Sequence, residues 1–452
     1  MAQGTFHIIT FGCQMNVNDS FWLTRSLQRR GFVESPLEQA EIVILNTCSV
    51  RDKPEQKVYA ALGRIKYETR RVPGSFAVVA GCVAQQIGAG FFERFPQVRL
   101  VVGGDGLAMA PDTIERLHAD PKLRLNLTDF SEVYPERDPA LPEHGESPIP
   151  PVAYVNIMQG CDNFCTYCIV PFTRGRQKSR QADAILDECR ALIDSGAKEI
   201  TLLGQNVNAY GLDKHATGDV SFGQLLRRAA ELPGLERLRF VTPHPKDLSA
   251  DVIAMFGELP NLCPRLHLPL QAGSDRVLAR MNRKYDMARY RELVEGLRAA
   301  RPDIALSTDL IVGFPGETEE DFQETLAAVR DVGFMSSFSF CYSDRPGTAA
   351  SRHTDKVEPA EKLHRLERLQ ALQEELSAAW LHGRVGCKTE VLLEGTSRKQ
   401  DGDAENESWQ GRDPWGDAVN VSLPSGTGAP GLILPVTIVT AKKHSLVGEV
   451  RH

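Results

Sequence analysis

Short apolar runs alternate with polar, helix-periodic stretches along most of this chain, and that alternation limits the fold more than any other feature. In the first 110 residues the runs are FHIITFGC (6–13), AEIVILNTC (40–48), SFAVVAGC (75–82) and VRLVVGG (98–104). Runs of four to eight apolar residues separated by helical segments are the pattern of βαβ units on a parallel sheet. The pattern resumes with AYVNIMQG (153–160), EITLLGQN (199–206), RLRFVTPH (237–244), RLHLPLQ (265–271), IALSTDLIVG (304–313) and MSSFSFCY (335–342). Helical stretches such as 181–195 and 286–300 separate these runs. Six such repeats predict a complete or partial barrel of the TIM type.

Between the two blocks, 121–150 carries Pro121, Pro135, Pro139, Pro142 and Pro148 with many charges and little periodicity, and reads as a linker. Residues 358–382 form one amphipathic helix rich in Leu and Glu. After Gly383, the segments CKTEVLLEG, DAVNVSL and LILPVTIVTAKKHSLVGEVR are short strand patterns joined by Gly- and Pro-rich turns, as in a small all-β barrel. The expected chain is α/β, with an N-terminal parallel-sheet domain (1–120), the linker (121–150), a partial (β/α) barrel (151–382) and a C-terminal β-barrel (383–452). Its 452 residues suit about three domains.

A formal net charge of −7 excludes a uniformly basic nucleic-acid binder, so RNA contact requires a local patch. No apolar run has membrane-spanning length, and MAQGTFHIITFGCQMN lacks the cationic and apolar regions of a signal peptide. A cytosolic protein with no membrane contact is expected, and in that reducing compartment clustered cysteines mean metal or redox chemistry rather than disulfides.

Two groups stand out among the ten cysteines. Cys161, Cys165 and Cys168 form C-x3-C-x2-C in GCDNFCTYCIVPFTRGR, directly after the first barrel strand, where barrel active sites lie. Three close thiolates without a nearby fourth Cys or His suit a [4Fe–4S] cluster with one iron left open. Zinc requires a fourth ligand, and none stands at short spacing. The second group is Cys13, Cys48 and Cys82, spaced 35 and 34 residues apart, each ending an apolar strand pattern. The C-terminal ends of parallel strands share one edge, so these remote thiols converge, and Gly12 and Gly81 permit the tight turns. The competing reading is three buried structural cysteines. It is the preferred reading for Cys189, Cys263, Cys341 and Cys387, which share no spacing.

The C-x3-C-x2-C segment resembles the radical S-adenosylmethionine (SAM) superfamily. The resemblance implies that SAM chelates the open iron and is cleaved by one electron to a 5′-deoxyadenosyl radical, which takes hydrogen from an unactivated C–H. FGCQMNVNDS, NTCSVRDKPEQKV, VAGCVAQ, HLPLQAGSD and STDLIVGFPGETEEDF extend the resemblance over nearly the whole chain, to the methylthiotransferase family. FGCQMN and NTCSVRDKPEQKV are most similar to its tRNA branch, which acts at C2 of N6-dimethylallyladenosine at position 37. Other branches act on threonylcarbamoyladenosine in tRNA or on a ribosomal-protein aspartate. The resemblance implies two [4Fe–4S] clusters, one on Cys161, Cys165 and Cys168 and one on Cys13, Cys48 and Cys82 that holds the sulfur to be transferred. It also implies two SAM molecules per product and a tRNA anticodon stem-loop as partner. The electron donor is expected to be a flavodoxin or ferredoxin, since no flavin motif is visible, and the chain is expected to be a monomer.

The strand-end rule assigns SAM contacts to Gln205, Asn206, Asn208, Gln271, Ser274, Asp309, Gly313 and Glu317, each equally able to satisfy a loop or cap a helix. For RNA, TRGRQKSR places Arg174, Arg176, Lys178 and Arg180 just beyond the radical cysteines, in position for phosphate or cofactor. Residues 51–71 hold seven Lys or Arg against three acids, by default a solvated helix face. The C-terminal barrel resembles a TRAM domain, a small RNA-binding module. It departs from that pattern in GRDPWG (411–416), and residues 381–452 carry eight Lys or Arg against nine acids. Trp409 and Trp415 either stack on bases or belong to the core. A plain iron–sulfur electron carrier needs neither a barrel nor a third domain. An ordinary radical SAM enzyme leaves Cys13, Cys48 and Cys82 structural.

Overall fold

The runs IVILNT and FAVVAG are buried along their whole length, as strands covered on both faces are. The structure, a computed structural model, describes residues 3–49, 54–138, 149–213, 220–397 and 405–451. Part of the proline-rich segment (139–148) and the start of the basic segment (50–53) lie outside the described residues. Six parallel strands form the N-terminal sheet: β1 (Gly4–Thr10), β2 (Phe32–Glu34), β3 (Ile42–Thr47), β4 (Phe76–Gly81), β5 (Val98–Val102) and β6 (Leu125–Leu127). Their order is β2-β1-β3-β4-β5-β6. Alternation along β3 and β4 sends Ile42, Ile44, Val78 and Ala80 to one core with Leu23 and Leu27, and Val43, Leu45, Ala77 and Val79 to another with Val58 and Leu62. The edge strand β6 lies inside the stretch read as linker. Three residues paired parallel to β5 are too short to give a periodic signal.

The central domain carries β7 (Val152–Asn156), the antiparallel pair β8 (Met158–Gln159) and β9 (Lys178–Ser179), then β10 (Glu199–Leu203), β11 (Arg237–Phe240), β12 (Arg265–His267), β13 (Ala305–Val312) and β14 (Ser336–Cys341). Two parallel three-stranded sheets, β11-β10-β7 and β12-β13-β14, are linked by the parallel bridge Leu238–Leu262. Together they form the expected partial barrel. Val155, Ile200, Leu202, Leu238, Leu266, Leu306 and Leu310 belong to the core shared with the surrounding helices. The alternate residues, including Glu199, Thr201, Arg239, His267, Asp309 and Phe338, line the inner face.

The helix Pro359–Gly383 packs on the edge strand β14, with Gln373 and Ser377 donating to the carbonyls of Phe334 and Met335. It leads into a closed five-stranded barrel of β15 (Lys388–Thr396), β16 (Asn406–Arg412), β17 (Ala418–Pro424), β18 (Ile433–Ala441) and β19 (Leu446–Val450), ordered β15-β16-β17-β19-β18. This barrel docks on the lower rim of the partial barrel. Arg237 donates to the carbonyls of Arg412 and Glu390, Arg239 to that of Asp413, and Arg265 to those of Trp415 and Gly416. The departing GRDPWG sequence is therefore a docking turn. Trp415 stacks on Arg384 at 3.8 Å and donates to the Asp303 carbonyl, and Trp409 is buried in the barrel core. Among the described residues no helix is long and apolar enough to cross a membrane.

Candidate active site and its two cysteine triads

Strands β1, β3 and β4 are neighbours in the sheet, with Thr10 opposite Asn46 and Thr47 opposite Gly81. Cys13, Cys48 and Cys82 follow these strands at their C-terminal ends, on one edge. A lattice of short polar side chains fixes the edge. Asn16 Nδ2 donates to the carbonyls of Phe11 and Thr47, both at 2.8 Å, and Asn46 Nδ2 donates to the Asn16 carbonyl at 2.9 Å. Thr47 donates to the Ala80 carbonyl and accepts from the Val83 amide. Gly12 has φ +108°, and a Cβ there would fall 2.1 Å from Cys48 Cβ, so only glycine lets the Cys13 turn close on Cys48. A hydrogen bond from Cys48 holds the Cys13 thiol down at about 6 against the effect of burial, with Arg174 acting the same way.

The radical triad follows β7 and β8. Asn282 Nδ2 holds the loop through the carbonyls of Asn163 and Phe164. Burial pushes the Cys168 thiol up to about 12, and neighbouring Cys165 adds to it; Cys161 is raised by burial and by Cys165 as well. Arg283 Nη1 donates to Cys165 Sγ at 3.3 Å, and His244 Nε2 stands 4.0 Å from the same sulfur. Burial and nearby Arg283 bring His244 down to about 2, so it is a neutral imidazole. Sequence reasoning missed both residues. His244 ends the RLRFVTPH run and was open to the strand-end rule, whereas Arg283 comes from a turn after a short helix and left no signal.

The donor sets fit iron–sulfur cages. By donor chemistry each triad offers three thiols, the count that leaves one iron of a [4Fe–4S] cluster open; among the described residues no three His, Cys, Asp or Glu side chains stand together closely enough to hold an ion as they are. Gln205 joins the two cysteine segments. Gln205 accepts from the Gly160 amide beside Cys161 at 2.5 Å, and its Nε2 touches Met15 Sδ, two residues after Cys13.

The other residues assigned to SAM divide by their partners. Asn208 is buried with both amide atoms unpartnered, as are Asn156 Oδ1 at the end of β7 and Asn163 Nδ2 in the cysteine loop. Buried amides without partners are costly, and three at one set of strand ends fit the polar groups of a SAM-sized ligand. Gln271 (φ +75°) and Gly313 (φ +68°) shape turns at the rim, and Asp309 faces His267 at 3.4 Å. Asn206 is engaged with Asp247 and the His244 amide. Ser274 donates to Asp321 at 2.6 Å. Glu317 accepts from the amides of Gly313 and Phe314; burial pushes it up to about 7 against the pull of Arg365. Ser274 and Glu317 thus hold loops in place.

The TRGRQKSR cations do not form an exposed basic surface. Arg174, Lys178 and Arg180 are only 3%, 2% and 7% exposed. Arg174 and Arg137 share Asp19, Lys178 pairs with Asp105, and Arg180 pairs with Glu188 and Glu136. Charges buried this deeply require partners, and the partners come largely from the N-terminal domain and the segment after it. The stretch is an electrostatic staple between domains, which corrects its reading as an RNA-contacting patch. Arg176 alone is exposed, paired with Asp162. The exposed cations lie instead on the helix Pro54–Glu68 and the turn after it: Lys57, Arg64, Lys66, Arg70 and Arg71.

Residues 155–329 match the Radical SAM superfamily, and residues 5–103 match a family described as Uncharacterized protein family UPF0004. The chain is 64% identical over 449 residues to the tRNA-2-methylthio-N(6)-dimethylallyladenosine synthase of Nitratidesulfovibrio vulgaris strain DP4, covering 99% of both chains. It belongs to the tRNA-2-methylthio-N(6)-dimethylallyladenosine synthase family. The enzyme of that name from Lawsonia intracellularis is 62% identical over 455 residues, again covering 99% of each. Among solved structures, the radical SAM methyltransferase TsrM from Kitasatospora setae superposes with a TM-score of 0.58 at 15% identity, covering 78% of this chain and 77% of that one, a likeness of fold. The chain is a radical SAM methylthiotransferase, and membership of this superfamily brings a [4Fe–4S] cluster and SAM.

Proposed function

We propose that this enzyme inserts a methylthio group at C2 of N6-dimethylallyladenosine at position 37 of tRNA, using SAM and two [4Fe–4S] clusters. The observation that carries the two-cluster reading is the junction Met15–Gln205–Gly160, which seats the Cys13 turn and the Cys161 loop on a single rim. Cys161, Cys165 and Cys168 would hold the cluster that, with SAM, supplies a radical, and Cys13, Cys48 and Cys82 the cluster that supplies sulfur. Activating an unactivated ring C–H needs the radical, and a ring C–S bond needs a sulfur donor within reach of the same carbon.

The chain's own residues orient and exclude. Asn156, Asn163 and Asn208 offer buried amides to the polar groups of SAM. Phe338 and Phe340, 59% and 43% exposed on the inner face of β14, offer apolar surface to a prenylated purine. Lys57, Arg64, Lys66, Arg70 and Arg71 face solvent and suit stem phosphates of an anticodon stem-loop. The working form we infer is a cytoplasmic monomer fed electrons by a flavodoxin or ferredoxin.

The test is anaerobic reconstitution followed by iron counting and nucleoside mass spectrometry of a modified stem-loop. Two clusters require about eight irons. The triple variant Cys13→Ala, Cys48→Ala, Cys82→Ala is expected to hold about four, to cleave SAM still, and to form no 2-methylthio product. A full iron count in that variant defeats the two-cluster reading. Conversion of a threonylcarbamoyladenosine stem-loop in preference to the dimethylallyl one defeats the substrate assignment.

A further inference from the structure

Arg174 belongs to the radical domain by sequence but sits among the cysteines of the N-terminal sheet. It lies six residues after Cys168, and its Nη2 donates to Asn16 Oδ1 at 3.1 Å and reaches Asp19 Oδ2 at 3.5 Å. The side chain is 3% exposed. Asn16 Oδ1 stands 3.6 Å from Cys13 Sγ as well, so the guanidinium sits one acceptor away from the first cysteine of that edge. Burial works against its charge, and Cys82, Asp19 and Cys13 favour it. Nη1 is buried and has no hydrogen-bond partner. Arg137 also binds Asp19, at 2.7 Å. Two guanidiniums thus share one carboxylate, and one positive charge among these three groups is left to the sulfur side.

A cage bound by three thiolates carries net negative charge and becomes more negative when reduced. A fixed cation nearby favours the reduced state, and does so more strongly away from water. The same N–H donors suit an additional anionic sulfur near an open iron.

We propose that Arg174 is a positioning residue of the sulfur-carrying site, raising the reduction potential of the cluster on Cys13, Cys48 and Cys82 and presenting Nη1 to its sulfur. This rests on the two-cluster reading above. It also makes the sulfur site depend on a residue of the radical domain, so that site is complete only when the two domains are docked.

The test uses the full-length chain with Cys161, Cys165 and Cys168 replaced by Ala, so that a single cluster reports, and follows its midpoint potential by electron paramagnetic resonance during redox titration. In this background Arg174→Gln is expected to shift the midpoint to more negative potential, while Arg174→Lys keeps most of the parental value. A Gln variant that holds about four irons at the parental midpoint overturns the proposal. Should the Gln variant fail to hold the cluster, Asp19→Asn decides. Removing that carboxylate leaves more positive charge beside the thiols and is expected to shift the midpoint upward, and no shift overturns the proposal. A parent without any four-iron signal overturns the two-cluster reading and this inference together; an unchanged potential overturns this inference alone.

Discussion

Arg283 donates from Nη1 to Cys165 Sγ at 3.3 Å, across 118 residues of chain, and so places a buried cation against the radical triad. Its other donors go to the Pro269 carbonyl and to the hydroxyls of Tyr167 and Tyr285. Partners of metal ligands commonly carry a 10- to 100-fold effect on affinity or activity. Arg283→Gln is expected to lower 5′-deoxyadenosine formation by about tenfold while the iron bound by Cys13, Cys48 and Cys82 is retained. Chromatographic assay of 5′-deoxyadenosine with parallel iron analysis checks this.

Gly12 sits at φ +108° against Cys48. Gly12→Ala meets both the left-handed backbone penalty, on the order of 1–2 kcal/mol, and a direct overlap with the Cys48 side chain. The Cys13 turn then moves away from Cys48. The expected result is loss of about four of about eight irons with SAM cleavage intact, read by Mössbauer spectroscopy and the same chromatographic assay.

Asp413 is buried in the docking turn of the C-terminal barrel beside Arg384 at 2.8 Å. Burial and the nearby Asp417 push its carboxyl up to about 6. Between the ordinary carboxylate range and about 6 the folded protein keeps a proton that the unfolded chain has lost. Its contribution to stability therefore falls as pH rises through that window and is constant above it. Asp413→Asn cannot titrate, so the wild-type protein is expected to lose apparent Tm relative to this variant between about pH 4 and about pH 6 and to run parallel to it at higher pH. Thermal unfolding across that range measures the difference.

The two kinds of cation should respond differently to substitution. Replacing exposed Lys66, Arg70 and Arg71 with Glu is expected to weaken stem-loop binding and reduce the slope of log affinity against log salt by about 2–3, close to one unit per lost phosphate contact. Lys178→Met leaves Asp105 buried without its partner, a loss of about 3–5 kcal/mol. That variant is expected to lower Tm and to leave the salt slope of whatever protein remains folded unchanged. Binding titrations at several salt concentrations together with thermal unfolding separate the two.

Most of the strand plan was legible in the sequence, because a run such as IVILNT between helical stretches has few other ways to bury itself. The strands it hid were short or flat: β2, β6 and β9, each of two or three residues, and β16, whose NESWQGR carries too little apolar alternation to stand out. The placement of Cys13, Cys48 and Cys82 after neighbouring strands was legible because the ends of parallel strands share an edge, and that of Cys161, Cys165 and Cys168 because the spacing is local. The residues assigned to SAM were legible only as rim positions, since Asn208 and Ser274 look alike in sequence until one proves unpartnered and the other bonded to Asp321.

The order of residues by itself determined the alternation and the position of Cys13, Cys48 and Cys82 at strand ends, because periodicity and chain connectivity are local properties. Only the tertiary structure decided where charge goes. Arg174, Lys178 and Arg180 read as a basic surface in one dimension, yet each is buried and pairs with a carboxylate from another part of the chain, Asp19, Asp105 and Glu136. A side chain's exposure depends on what packs over it, and the carboxylates that meet these cations stand as far as 155 residues away.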